Sequence, residues 1–144
     1  MATLLDLADR MKQVKASLSE QASLCARQGA LAIVSNLANS TPVDTSAALS
    51  NWQVSLENPN YNWIAPHVLG HKGSTQLASI RATIEEAKYN LENKKPGQII
   101  YISNNAEYII ELNNGSSKQA PAGFVERAIL VGKQTVKNFQ VKII

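Results

Sequence analysis

Thr41-Pro-Val-Asp-Thr-Ser-Ala-Ala-Leu-Ser-Asn-Trp52 separates a long amphipathic segment from the rest of the chain. Pro42 prevents a helix from continuing through it, because proline lacks a backbone donor and holds the residue before it extended. Asp44 or Thr45 is then predicted to cap a short helical turn over residues 47–49. Large apolar and polar residues alternate over Trp52–Leu56, which is typical of a half-buried strand. The stretch therefore predicts a corner of the fold.

A single helix is predicted before this corner, over about residues 3–39. Thr3 and Asp6 have the spacing of a capping box. At about 1.5 Å per residue the helix would be about 55 Å long, more than a small domain can cover. It either breaks near Gly29 or packs its first half against a neighbouring subunit, and we favour the second because the apolar stripe resumes in phase after the glycine. The stripe contains Leu4, Leu7, Met11, Val14, Leu18, Leu24, Ala30, Leu31, Val34 and Leu37.

A loop without periodicity follows the first strand, over residues 57–74. Loops of that length are usually functional or ordered by a partner. His67 and His71 lie four residues apart, but Pro66 and Gly70 argue against a helix that would bring them together, so we do not expect a metal site. Exposed apolar side chains in the loop are predicted to anchor an interface. They are Tyr61, Trp63, Ile64, Val68 and Leu69.

The remaining chain predicts an α+β fold. Ser74 is predicted to cap a helix over residues 75 to about 91, with an apolar face of Leu77, Ile80, Ile84, Ala87 and Leu91. Residues 94–97 form a turn, and residues 98–103 form a strand antiparallel to Trp52–Leu56. Residues 106–112 are a short helical turn or a strand, and Pro121 opens a last helix. The end alternates like an edge strand or an arm that adds to another subunit's sheet.

These elements together predict one domain over residues 1–144. Residues 1–40 form its long helix and residues 137–144 its C-terminal arm. The long helix and two further helices pack on a small antiparallel sheet. A chain of 144 residues is large enough to bury a core without disulfides or metal. The single cysteine, Cys25, falls within the helical pattern and is expected to be a packed thiol.

Charge and hydropathy restrict the location of the protein. No apolar run approaches the roughly 18 residues of a membrane span, and the N-terminus has no secretory pattern, so we expect the chain to stay in the cytoplasm where it is made. Through residue 120 there are ten basic and ten acidic residues, so the net charge of +3 lies in the last 24 residues. Lysines on the outer face of a terminal helix explain this excess, although such a tail could also contact DNA.

No catalytic, cofactor-binding or metal-ligating group can be assigned. The sequence lacks a glycine-rich phosphate loop and a Gly-x-Ser-x-Gly motif, and Cys25 has no histidine with a plausible orienting partner. Glu107 and Glu111 lie four residues apart and support only a weak nuclease-like case. A structural protein or a binding protein is therefore favoured over an enzyme.

Two motifs together bring a family resemblance. The first is Thr41-Pro-Val-Asp-Thr-Ser with Leu49 and Trp52, and the second runs from Asn105 through Tyr108, Glu111 and Gly115-Ser116 to Gln119-Ala-Pro-Ala-Gly123. Over about residues 41–131 the chain resembles the tail-component family of tailed bacteriophages, the neck, tail-completion or tail-terminator-like proteins. Two departures are Ser46, where the family has glycine, and Leu49, which lies one place later than usual.

The resemblance implies a structural virion protein at the head–tail junction, assembled in the host cytoplasm. It implies a ring, hexameric or alternatively dodecameric, that joins the tail tube to the connector and lets DNA pass. Neighbours would be connector, tail tube or sheath proteins, with no cofactor and no membrane. The alternative is a sequence-independent DNA-binding module. The residues themselves supply candidates for two subunit contacts. One is the long helix with the apolar loop residues, and the other is the loop containing Ser116, Ser117, Gln119 and Pro121 with the C-terminal arm. The candidate DNA-facing residues are Lys133, Lys137 and Lys142.

Overall fold

The computed structural model describes residues 3–44 and 46–143 and confirms the α+β fold. The order is α1 (Leu4–Ser40), α2 (Ala47–Ser50), β1 (Trp52–Leu56), α3 (Gln76–Glu92), β2 (Ile100–Asn104), α4 (Ile109–Asn113) and α5 (Phe124–Asn138). The two strands pair antiparallel, with Val54 opposite Ile102. The long helix, the strands and the two further helices thus lie close to their predicted positions. No helix in the described part of the chain is long and apolar enough to cross a membrane.

Helix α1 begins with the predicted capping box. Thr3 Oγ1 accepts from the Asp6 amide at 3.1 Å, and the Asp6 carboxylate accepts from the Thr3 amide at 2.9 Å. The helix runs 37 residues without a break at Gly29. Gly29 is instead the point where α5 crosses most closely, because a Cβ on Gly132 would lie 2.3 Å from Ile33 Cγ1 and 3.2 Å from the Gly29 carbonyl oxygen. This glycine serves helix packing.

The core lies around the C-terminal half of α1. Val34 packs with Val54 of β1 and Leu91 of α3, while Leu37 packs with Trp52 and with Phe124 of α5. A third cluster joins Ala38 and Val43 to Leu49 of α2. Helix α1 is therefore covered from about residue 23 onward by α3, α5 and the sheet.

The predicted corner forms, with a different role for Asp44. The buried Trp52 indole donates to Thr41 Oγ1 at 2.8 Å, and Thr41 Oγ1 donates to the Leu37 carbonyl at 2.6 Å. Ser46 precedes α2 with a left-handed φ of 70°, and its side chain makes no capping bond.

The prediction that Asp44 caps α2 is wrong. Its carboxylate accepts from the Lys72 amide at 2.6 Å, and its carbonyl accepts from the Gly73 amide, so it fixes the end of the long loop. Lys72 has a φ of 54° in this tight turn. Thr45, the other capping candidate, lies outside the described residues.

Helix α3 differs from its prediction at its start and on its face. Thr75, without a capping side-chain bond, precedes the helix. The Ser74 hydroxyl instead accepts from the His71 amide, so the predicted Ser74 cap is wrong. Leu77 is 79% exposed whereas Ser79 and Thr83 are buried, because small side chains let α2 approach, with Thr83 Oγ1 3.5 Å from the Leu49 carbonyl.

The C-terminal third also corrects two expectations. Helix α5 starts at Phe124, after Gly123 at a φ of 82°, and not at Pro121. Residues 139–143 form no strand but fold back on α1 of their own chain. There Gln21 Nε2 donates to the Lys142 carbonyl at 2.5 Å, and the Lys142 amide donates to Gln21 Oε1 at 2.6 Å. The predicted arm is thus held within the described subunit, with Ile144 outside the described residues.

Candidate assembly surfaces

The N-terminal part of α1, residues 4–16, leaves most of its apolar side chains exposed, and we call it the bare half of α1. Residues 3–16 are all exposed except half-buried Val14. Leu4 is 85% exposed, Leu7 55% and Met11 64%, although they continue the stripe that is buried further along the helix. A groove of about 580 Å³ runs along this stripe and is lined by α1 residues alone. The apolar face therefore has no partner within the described chain.

The cover from the same chain ends near Leu18. Leu18 and Cys25 share a groove with Val136 of α5 and with Phe139 and Val141 of the returning C-terminal segment. Cys25 is half-buried there, as expected for a packed thiol, with its Sγ 3.9 Å from the Val136 carbonyl. One continuous stripe is thus covered on its C-terminal side and open on its N-terminal side.

Side-chain amides hold the aromatic loop in place. The buried Asn51 donates to the Ile64 carbonyl and accepts from the Ile64 amide, both at 2.9 Å, and also donates to the Ala47 carbonyl. Gln53 donates to the Asn62 carbonyl at 2.8 Å, and Asn105 reaches the same oxygen at 3.0 Å. The loop over residues 57–74 is consequently ordered beside β1, and we call it the strap.

The strap presents only some of its predicted anchors. Tyr61 is 81% exposed, Trp63 56% and Leu69 80%. Ile64 and Val68 are half-buried, because Ile64 pairs with Asn51 and the Val68 carbonyl accepts from Thr75. Two aromatic rings therefore face solvent from a fixed backbone.

The second implied patch, residues 115–123, is tied to the corner. Gln119 Oε1 accepts from the Val43 amide at 2.9 Å and its Nε2 donates to the Val43 carbonyl at 3.0 Å. Ser117 Oγ accepts from the Gln119 amide, while Ser116 and Pro121 are exposed. The amide of Gln119 therefore has an internal role, and the two motifs of the resemblance lie in contact.

Asn113 links this patch to α5. Its Oδ1 accepts from the Val125 amide at 2.9 Å, and its Nδ2 donates to both carboxylate oxygens of Glu126 at 3.0 Å. The pKa of Glu126 is lowered from its ordinary value of 4.5, first by a hydrogen bond from its own backbone amide and then by Asn113 and Arg127. A residue distant in sequence thus caps the helix that covers α1.

The three predicted DNA-facing lysines lie on α5 and just after it. Lys133 and Lys137 are one turn apart and therefore on the same side of α5, and Lys142 lies in the segment held by Gln21. Lys133 also borders an apolar groove of about 740 Å³ between α1, β2 and α5, together with Lys94. Lys94 is only 9% exposed and donates to Ser23 Oγ at 3.0 Å.

The described residues hold no group of three or more His, Cys, Asp and Glu side chains arranged to bind a metal. His67 Nε2 lies 3.2 Å from the Glu86 carboxylate, which joins the strap to α3, and His71 is exposed. The two histidines thus occupy different surroundings. Sequence reasoning missed the roles of Asn51, Asn113 and Gln119, and the density of Asn and Gln around the loops was the one available signal.

Comparison of the chain with protein-family models, with curated proteins and with solved structures finds no match. The likeness to the phage tail-component family therefore depends on the sequence motifs alone.

Proposed function

We propose that this protein is a structural subunit of a ring at the head–tail junction of a tailed bacteriophage, where it joins the tail tube to the connector. The observation that carries the proposal is the bare half of α1. Full burial of a large apolar side chain contributes about 1.5–3 kcal/mol. A regular stripe of such side chains, built on a rigid helix and left without cover, is typical of a subunit that is completed by assembly.

The corner supports the link to the tail-component family. Ser46 has a φ of 70° at the position where the family has glycine, and a left-handed backbone is the conformation that glycine adopts most readily. Thr41, Trp52 and Gln119, all motif residues, take part in the hydrogen bonds that build the corner. The motif thus consists of residues that determine this local structure.

The ring would be hexameric, or alternatively dodecameric, and would contact connector, tail tube or sheath proteins. A closed ring of identical subunits uses two different patches on each subunit. The bare half of α1 and the strap with Tyr61 and Trp63 offer one patch, and the exposed part of residues 115–123 offers the other. Lys133, Lys137 and Lys142 would face passing DNA, and no residue is assigned a catalytic role.

The test is deletion of the gene from the phage genome, followed by electron microscopy of the lysate. We expect filled heads and separate tails, with joined particles restored by a plasmid copy. Antibody labelling should place the protein at the junction. Infectious, normally joined particles in the absence of the protein would contradict the proposal.

A matched pair of variants tests the lysines. Reversal of the charge at Lys133, Lys137 and Lys142 should preserve folding and reduce the yield of infectious particles. Reversal at the exposed Lys88 and Lys95 should preserve folding and leave that yield unchanged. Equal yields from both variants would remove the DNA-facing role.

A further inference from the structure

The spacing of the bare stripe is that of a coiled-coil seam. Leu4, Leu7, Met11, Val14 and Leu18 follow one another at steps of three, four, three and four residues. This alternation repeats every seven residues and keeps one seam facing a partner. We name these five residues the α1 seam.

The border of the α1 seam is positively charged. The positions that flank it are Thr3, Ala8, Arg10, Lys15 and Ser17, which include two cations and no carboxylate. In a parallel pair of α1 helices Arg10 of one chain would face Lys15 of the other, and in an antiparallel pair with Leu7 opposite Met11, Arg10 would face its own copy. Like charges in these two arrangements oppose pairing, so a surface that carries carboxylates suits the seam better than a second seam does.

A surface of opposite character lies at α4. Ile110 is 69% exposed and Tyr108 45%, and the exposed Glu107 and Glu111 lie next to them in sequence, one before α4 and one within it. These two glutamates are the only charged residues in the segment 96–117. In the described part of the chain neither carboxylate forms an ion pair or accepts a hydrogen bond from another side chain. We name these four residues the α4 patch.

We propose that the α1 seam of one subunit docks on the α4 patch of a second copy of this chain. This inference rests on the self-assembly in the proposed function and specifies its contact. The two surfaces are complementary, since each is apolar at its centre and their borders carry opposite charge. They are also different surfaces, and contacts of that kind join subunits head to tail.

The position of the α4 patch agrees with this role. Tyr108 borders a groove of about 330 Å³ together with Val43, Ser117 and Gln119. The docked helix would therefore lie against the corner built by the sequence motifs. The contact would cover part of the bare half of α1 without moving the packed half.

Charge reversal tests the contact through the mass of the purified full-length protein, measured by sedimentation over a range of concentrations. Lys15→Glu should weaken self-association by about tenfold, as expected for loss of one complementary charge pair and its replacement by repulsion. Lys12→Glu is the matched control, because Lys12 lies on α1 away from the seam. A chain that carries Arg10→Glu and Lys15→Glu together with Glu107→Lys and Glu111→Lys should regain most of the affinity, because both charged borders are then reversed.

Three outcomes would overturn the contact: equal effects of Lys15→Glu and Lys12→Glu, no recovery in the combined variant, or a wild-type protein that stays a single chain. The first two would leave the junction role intact, since a ring can close through other surfaces. Normally joined particles in the gene deletion, together with seam-to-patch assembly of the purified protein, would overturn the junction role and leave the contact standing.

Disulfide trapping identifies the two surfaces directly. Met11→Cys and Ile110→Cys proteins, each also carrying Cys25→Ser, are mixed and oxidised. A covalent dimer containing one chain of each kind is expected, in excess over dimers formed by either protein alone. Dimers formed mainly by Met11→Cys alone would show seam-to-seam pairing and overturn the proposal.

Discussion

The two halves of α1 have the same apolar periodicity and opposite surroundings. Val34, Leu37 and Ala38 are at most 1% exposed, whereas Leu4 and Met11 are more than half exposed on the same helix. The packed half meets α3, α5 and the sheet, while the groove along the apolar stripe of the bare half is lined by α1 residues alone. Periodicity thus predicts that a helix has an apolar face, and it does not say whether the partner belongs to the same chain.

The largest expected effect is on the free energy of unfolding. It compares Leu37→Ala in the packed half of α1 with Leu7→Ala in the bare half. Leu37→Ala should lower the free energy of unfolding by about 3 kcal/mol, because it leaves a cavity in the core. Leu7→Ala should change the free energy of unfolding of the single subunit by less than about 0.5 kcal/mol. Urea unfolding at concentrations that keep subunits apart measures both, and equal losses would contradict the division of α1.

The second prediction concerns the close crossing of α1 and α5. Gly132→Ala should lower the free energy of unfolding by about 1–3 kcal/mol through overpacking, despite the roughly 1 kcal/mol that alanine gains in helix propensity. The new Cβ would meet Ile33 at 2.3 Å. Thermal or urea unfolding provides the measurement.

Gly29→Ala supplies the control for this crossing, since its Cβ would meet only Val136 Cγ2 within 3 Å. In a Val136→Ala background that contact is gone, and Gly29→Ala should raise the free energy of unfolding by up to about 1 kcal/mol through helix propensity. A stabilising Gly132→Ala would show that the helices do not approach as described.

Much of the fold could be predicted from the sequence because its signals are local. The capping box at Thr3 and the strand at Trp52–Leu56 depend on neighbours in sequence, and both are confirmed. The predicted half-buried alternation of the strand is wrong, because Gln53 is buried like Trp52 and Val54 and donates to the Asn62 carbonyl of the loop. The role of Asp44 was wrong because its partner, the Lys72 amide, lies 28 residues away. The returning C-terminal segment likewise depends on Gln21, 121 residues from Lys142.

Part of the candidate surfaces could be predicted because their signals are also local. The free first half of the helix followed from its length, and the exposure of Tyr61 and Trp63 matches their predicted position on a surface loop. The side-chain amides that hold the strap could not be assigned, because an Asn or Gln in a loop carries no local signal of its partner.

The strap exposes apolar side chains, as the bare half of α1 does, but its backbone is held by hydrogen bonds from Asn51. Asn51→Asp keeps the acceptor for the Ile64 amide but loses the donors to the Ile64 and Ala47 carbonyls. We expect a loss of about 1–3 kcal/mol and faster proteolysis within residues 57–69. Asn58→Asp, on an exposed side chain, is the control, and equal cleavage of the two variants would contradict the role of Asn51.

The smallest expected effect is on the helix that covers the packed half. The folded pKa of Glu126 is lowered, so its contribution to stability is present above the unfolded value near 4.5 and is lost as the pH falls through the folded value. The difference in thermal midpoint between wild type and Glu126→Gln should therefore shrink on acidification from pH 7 to about pH 3. A difference that stays constant would remove the role of this carboxylate.

The central claim is that the bare half of α1 is an assembly surface. The most direct measurement is the solution mass by light scattering. It compares the wild type, a variant with Leu7→Gln and Met11→Gln on the seam, and Leu5→Gln, a control residue that is 77% exposed and lies off the seam. We predict that the wild type and Leu5→Gln form assemblies well above the 15.6 kDa of one chain, and that the seam variant has the mass of one folded subunit. A wild type of 15.6 kDa at every concentration, or a seam variant that assembles as the wild type does, would contradict the account.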